Sequence, residues 1–235
     1  MKYELIPERT ISWTPSPMPW MLLSTLAMSS AMSVSIYLAR VWYADTTRFF
    51  FLNWNLLLAW IPLALALAMS YPSRQSRRPG ITHLALFGLW LLFFPNAPYI
   101  VSDLMHLGVR DRVPLWYDTI LLFSYAWNGL VLGFASLWLV QGLVTAWYGR
   151  IAGWCVVLAT LFAGGFGIYL GRFQRWNSWD VLVDPIGIAR ELLFQFVTPF
   201  DHPRAVVVTL LFAGFLTMAY CTMHFLAAIQ NPRNA

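Results

Sequence analysis

Two short stretches hold most of the residues in this 235-residue chain that can do chemistry. The first is Phe94-Pro-Asn-Ala-Pro-Tyr-Ile-Val-Ser-Asp-Leu-Met-His106. Asp103 and His106 stand three apart, so a helical turn places them on one face. A carboxylate beside an imidazole can orient it, relay a proton or supply two metal ligands. Two ligands are too few for a metal centre, so the pair is read as the catalytic or proton-handling element, and no metal is assigned. The plainer alternative is an Asp–His pair that only holds a loop. Pro95 and Pro98 each remove a backbone donor and disturb the helix end. Asn96 and Tyr99 therefore lie at a break with freed carbonyls, and both are candidates for substrate binding. Irregular backbone at membrane depth is tolerated only where protein or a water-filled cavity covers it.

The second stretch is Tyr169-Leu-Gly-Arg-Phe-Gln-Arg-Trp-Asn-Ser-Trp-Asp180. Arg172 and Arg175 are again three apart, and the guanidinium fork fits phosphate or carboxylate groups. Trp176 and Trp179 suit a membrane interface and can stack on Arg. Asn177, Ser178 and Asp180 complete a tight polar turn. Snorkelling arginines in an aromatic belt would explain the Arg and Trp residues but not Asn-Ser-Trp-Asp. Arg172, Arg175, Asn177 and Asp180 therefore join Asn96 and Tyr99 as candidate substrate-binding residues.

The elements that must position these residues follow from composition. The chain is 59% hydrophobic and 11% charged, with 13 Trp and 17 Phe. An ordinary soluble domain carries about 25% charged residues. Six apolar runs, at 20–39, 49–70, 81–101, 119–144, 151–170 and 206–229, are long enough to span a bilayer. Unpaired backbone groups are too costly in lipid, so each run is expected to be helical. The fold class is thus an all-α polytopic membrane helix bundle. A tail over 1–19 precedes a single transmembrane domain over 20–230, and a short tail over 231–235 follows it. The segment 186–197 follows Asp184-Pro185, a helix-start signal, and is too short to span. It is read as an interfacial or re-entrant helix that roofs a cavity.

Small residues recur at helix-packing spacing: Ala27, Ala31 and Ser35; Gly129 and Gly133; Gly167 and Gly171. They are expected to serve contacts within one bundle rather than homodimerisation, and the oligomeric state is left open. Cys155 and Cys221 fall in apolar runs and read as packing residues. No cofactor motif occurs and no cofactor is expected. Basic residues are scattered, so nucleic acid is not a partner. The bilayer is the partner, with a lipid-linked or anionic small molecule as the candidate ligand.

Six spans put both termini on one face, side A, together with the 71–80 and 145–150 connections. Side B holds the 40–48, 102–118 and 171–205 connections. Side A carries Lys2, Arg9, Arg74, Arg77, Arg78, Arg150 and Arg233 against two acids, Glu4 and Glu8. Side B balances eight Arg with Glu191 and all seven Asp. The entire net charge of +5 therefore belongs to side A. Its dense Arg74–Arg78 cluster makes the cytoplasm the expected location of side A and of both termini. The acids set little of the topology, so their confinement to side B points to a polar site there. Within the spans, Asn53, Asn55 and Asn128 are the clearest polar groups, and Pro62 interrupts the second. The scarcity of ionisable groups inside the spans argues against an ion-coupled pump.

On Phe94-Pro-Asn-Ala-Pro-Tyr99 with Ser102-Asp103 and His106-Leu107, and on Tyr169 to Asp180, the chain resembles domain-of-unknown-function family 1361. The resemblance covers roughly residues 45–230. It implies a multi-span protein of the bacterial plasma (inner) membrane and supplies no activity. The residues themselves fit a polar interfacial pocket that binds or processes a lipid-linked or anionic substrate. The alternatives are a transporter or channel subunit, and a structural or assembly factor. Whether the protein is an enzyme stays open between them.

Overall fold

The computed structural model describes residues 20–73, 79–108, 113–176, 186–187 and 203–230. Its helices are α1 (Trp20–Ala44), α2 (Phe50–Ser73), α3 (Ile81–Phe93), the single turn α4 (Asn96–Tyr99), α5 (Leu115–Tyr148), α6 (Arg150–Tyr169) and α7 (Pro203–Gln230). A 3₁₀ segment, Ile100–His106, follows α4, and a π turn, Leu170–Gln174, follows α6. Among the described residues there is no strand, and six helical stretches are long and apolar enough to cross a membrane. Ile81–His106 counts as one of them, so α3, α4 and the 3₁₀ segment form one continuous path.

The bundle is organised around α5. Its 34 residues extend about 51 Å, well beyond the roughly 30 Å of hydrocarbon a span must cross. In its most apolar window 67% of residues are buried, against 22–39% in the other five spans. It packs against α1, α2, α4, α6 and the 3₁₀ segment, while α7 lies mainly on α6. Gly149 alone joins α5 to α6. Its φ of 89° is one that residues with a Cβ rarely adopt, and its N–H caps the Thr145 carbonyl at 2.9 Å. At the start of α3, His83 Nδ1 accepts the Gly80 N–H at 3.2 Å, and its ring packs on Trp147. His83 is therefore a buried helix-start residue.

Polar groups inside the spans are consumed by contacts between helices. Asn128 on α5 donates to Ser33 Oγ at 3.0 Å and to the carbonyls of Ser29 and Ser124. Ser30 Oγ donates to Asn128 Oδ1 at 3.4 Å and accepts from Trp60 Nε1 of α2 at 3.2 Å. Tyr125 donates to Asn53 Oδ1 at 2.7 Å. Asn53, Asn55 and Asn128 thus have separate partners in packed surroundings.

Hydropathy leaves Arg40 and Asp118 in connections, yet both belong to helices. Arg40 Nε donates to Asp118 Oδ1 at 2.7 Å and its Nη2 to Oδ2 at 3.2 Å. The two side chains are 1% and 4% exposed. Mutual neutralisation lets α1 and α5 extend past the apolar runs, because neither charge is left without its counterion.

Candidate functional site

The site is built where α3 gives way to α4 and the 3₁₀ segment, at the side B end of the bundle. Phe94, Pro95 and Tyr99 all keep right-handed helical backbone angles, so the two prolines do not turn the chain away. They change its hydrogen bonding instead. Ala97 N–H bonds to the Phe94 carbonyl three residues back, and Asn96 Nδ2 donates to the Phe93 carbonyl at 3.0 Å. The chain then tightens to three residues per turn over Ile100–His106. Residues three apart eclipse in that geometry, so Asp103 and His106 stack on one face.

Glycines let the neighbouring helices close around this segment. A Cβ at Gly129 would collide with the Ala97 carbonyl oxygen, and one at Gly133 would come within 3.1 Å of Ala97 Cβ. A Cβ at Gly167 would lie 2.5 Å from Pro95 Cβ, and one at Gly171 would lie 2.8 Å from the Tyr99 ring. Both GxxxG pairs therefore face inward and grip the Pro-Asn-Ala-Pro-Tyr segment from two sides. The two glycine pairs serve the interior of one bundle, as expected, whereas Ala27, Ala31 and Ser35 lie exposed on α1, outside its packed interior.

Held in this way, Asp103 is buried and is bonded from two directions. Asn55 of α2 donates to its Oδ2 at 2.8 Å. Arg172 of the π turn donates to its Oδ1 and forms a salt bridge with it. The same guanidinium donates to Ser102 Oγ through Nε at 3.1 Å and through Nη2 at 2.9 Å. Ser102 in turn donates to the Tyr99 carbonyl at 2.7 Å. Arg172 Nη1 lies 2.8 Å from His106 Nε2. A guanidinium can only donate, so Nε2 is the unprotonated nitrogen in this contact. The Tyr99 ring lies under the guanidinium carbon at 4.9 Å, within cation–π range. Phe51 packs against the His106 ring at 5.1 Å between centroids.

The π turn is what aims Arg172. A wider turn at the end of α6 shifts the register of the last side chains, a feature that recurs at functional sites. Arg175 closes the turn in the left-handed region at φ 60°, and Trp176 N–H bonds back to the Leu170 carbonyl at 3.2 Å. Nearby, Gln174 donates to the Tyr169 hydroxyl at 3.1 Å, and the Phe173 ring stacks on Tyr169.

The structure thus joins Tyr99, Asp103, His106 and Arg172 in one cluster. Asn96 lies one turn earlier and serves the backbone. Arg175 is exposed and makes no hydrogen bond or ion pair with a described residue. Asn177 and Asp180 lie outside the described residues, as does the 186–197 helix apart from residues 186 and 187. Two members were not singled out as site residues from the sequence, Ser102 and Asn55. Ser102 sits beside Asp103 in the motif, and Asn55 was visible as a polar residue inside an apolar run.

The arrangement favours one chemistry over another. Arg172 occupies the space between Asp103 and His106 where a cation bound to both would have to sit. Among the described residues no group of three His, Cys, Asp or Glu side chains could hold a metal. What the cluster can do is hold a guanidinium rigidly beside the exposed imidazole of His106. The charge of Arg172 is backed by a carboxylate, and its geometry is set by four neighbouring groups, Tyr99, Ser102, Asp103 and His106.

No curated protein and no solved structure matches the chain. The sequence model of one family, described as a protein of unknown function (DUF1361), matches residues 54–219, a range that begins just before Asn55 and contains both polar motifs. With well over half of its length matched, the chain belongs to the DUF1361 family of proteins of unknown function.

Proposed function

We propose that the side B cluster is a binding site for the anionic group of a molecule that reaches it at the membrane surface, such as a lipid-linked substrate. One observation carries this reading. Ser102 and Asp103 fix the inner edge of the Arg172 guanidinium, while the Nη1 edge meets exposed His106. An anion anchor that is already oriented loses little freedom on binding, and that is the main advantage of preorganisation. Arg175, exposed one turn along, adds a second positive charge near the same rim. In this reading Arg172 and Arg175 hold the anion, Tyr99 supports Arg172 from below, and Asp103 with His106 handles a proton. Asn96, Asn177 and Asp180 complete the expected binding set. A bacterial plasma membrane with cytoplasmic termini is the setting proposed for it.

A second reading has its own support. Arg172 already has several partners within the protein, as a latch between the ends of two spans would. Titration calorimetry on the detergent-purified protein separates the two, with inorganic pyrophosphate as the probe. The anchor predicts saturable binding that Arg172→Gln abolishes and that Arg175→Gln weakens without a change in the thermal midpoint of unfolding. Absence of pyrophosphate binding in the wild type, together with a large loss of thermal stability in Arg172→Gln, would establish the latch instead.

A further inference from the structure

At the opposite end of the bundle, α5 is left partly uncovered between α1 and α7. A lateral cavity of about 260 Å³ opens there, lined by Leu22 of α1, Phe134, Ala135 and Trp138 of α5, and His224 and Ala227 of α7. Its lining residues on α1 and α7 fall toward the side A ends of those helices, so in a bilayer the cavity would face the side A leaflet. A helix, about 10–12 Å across, is too wide to enter a cavity of this volume. A flexible hydrocarbon chain fits it.

Two further features give the occupant a polar end. His224 packs its ring against Trp154, Tyr220 and Phe225; its Nδ1 is sealed within the protein, and its Nε2, which has no hydrogen bond with a described residue, is the nitrogen left to an occupant. Tyr220 is committed elsewhere, because its hydroxyl donates to Gln141 Oε1 at 2.6 Å. An imidazole in an apolar wall needs a partner, and an ester carbonyl or glycerol hydroxyl near the hydrocarbon boundary supplies one. One helical turn from Trp154, toward side A, stands exposed Arg150 at the start of α6. Reading outward, the order is apolar cavity, hydrogen-bonding imidazole and cation.

We infer that this cavity is a specific site for an anionic glycerophospholipid of the side A leaflet, with an acyl chain in the cavity, its ester at His224 and its phosphate at Arg150. The site is independent of the cluster at side B.

Native mass spectrometry of the delipidated protein tests this, using mixed micelles of detergent with palmitoyl-oleoyl phosphatidylglycerol or the matching phosphatidylcholine. The expected result is one retained phosphatidylglycerol per chain, favoured about fivefold over phosphatidylcholine, as one surface arginine would give. Arg150→Gln should remove the preference while leaving phosphatidylcholine retention as it was. Ala135→Trp should fill the cavity and abolish retention of both lipids. Ala227→Trp does the same from the other wall if the first variant melts early. Equal retention of the two lipids by the wild type, or retention untouched by either filling variant, would overturn the assignment. So would a preference for phosphatidylglycerol that survives in Arg150→Gln.

Discussion

Two Arg–Asp pairs lie at the side B end of the bundle, and they are used differently. Arg40 directs Nε and Nη2 at the one carboxylate of Asp118, and the Phe49 ring covers its guanidinium at 4.6 Å. Neighbouring Tyr117 turns its hydroxyl to the Ile36 carbonyl at 2.8 Å. This pair ties α1 to α5. Arg172 instead distributes its donors over Ser102, Asp103 and His106, and its side chain is 13% exposed against 1% for Arg40. One pair is a strut sealed between helices. The other is a guanidinium that protein groups hold at the surface. The lesson is that the residue types alone do not distinguish the two roles. The exposure of the arginine side chain, 1% in one pair and 13% in the other, does.

The largest expected effect comes from breaking the strut. Asp118→Ala should destabilise the protein by about 3–5 kcal/mol, because Arg40 keeps its charge in a sealed site. Thermal or denaturant unfolding in detergent measures it, and a loss below about 1 kcal/mol would show that the pair is not sealed. The second effect concerns the clamp that aligns the other pair. Gly167→Val should cost about 1–3 kcal/mol by forcing Pro95 away, and it should weaken anion binding by displacing Asp103 from Arg172. Unchanged unfolding and binding together would mean that the glycine contact is not needed.

Next comes the open pair itself. Asp103→Asn should cost about 1–2 kcal/mol, less than Asp118→Ala, because Arg172 retains Ser102 and His106 and reaches the surface. Equal losses in the two variants would remove the distinction drawn above. The smallest effect separates both pairs from ordinary polar packing. Ser33→Ala removes one hydrogen bond to Asn128 and should cost about 0.6 kcal/mol, the average for such bonds in membrane proteins. A much larger loss would move the Asn128 cluster into the same class as the strut.

Much of the architecture was legible in the chain. The six apolar runs match the spans, because a lipid core forces about 20 apolar residues into a self-satisfied helix. The ends were less legible. Arg40 and Asp118 are charged, so hydropathy stops a span short of each of them, and their contact is among those that let the helices continue. Pro95 and Pro98 signalled a break, and what they produce is a change of helical pitch on an unbroken path. For the site, the motifs named Asp103, His106, Tyr99 and Arg172 by rarity and spacing. Ser102 and Asn55 became members only when three helices were brought together.

The sequence by itself determined that this is an all-α membrane bundle, that its acids crowd one face and that two polar motifs end different spans on that face. Those properties depend on composition and on periodicity along the chain, which local physics reads. Only the tertiary structure decided that Arg172 lies between Asp103 and His106, that the glycine pairs grip the Pro-Asn-Ala-Pro segment, and that Arg40 is sealed while Arg172 is not. Each of these contacts joins residues tens of positions apart. Which donor meets which carboxylate is set by how helices pack against α5, and that packing leaves no local mark in the sequence.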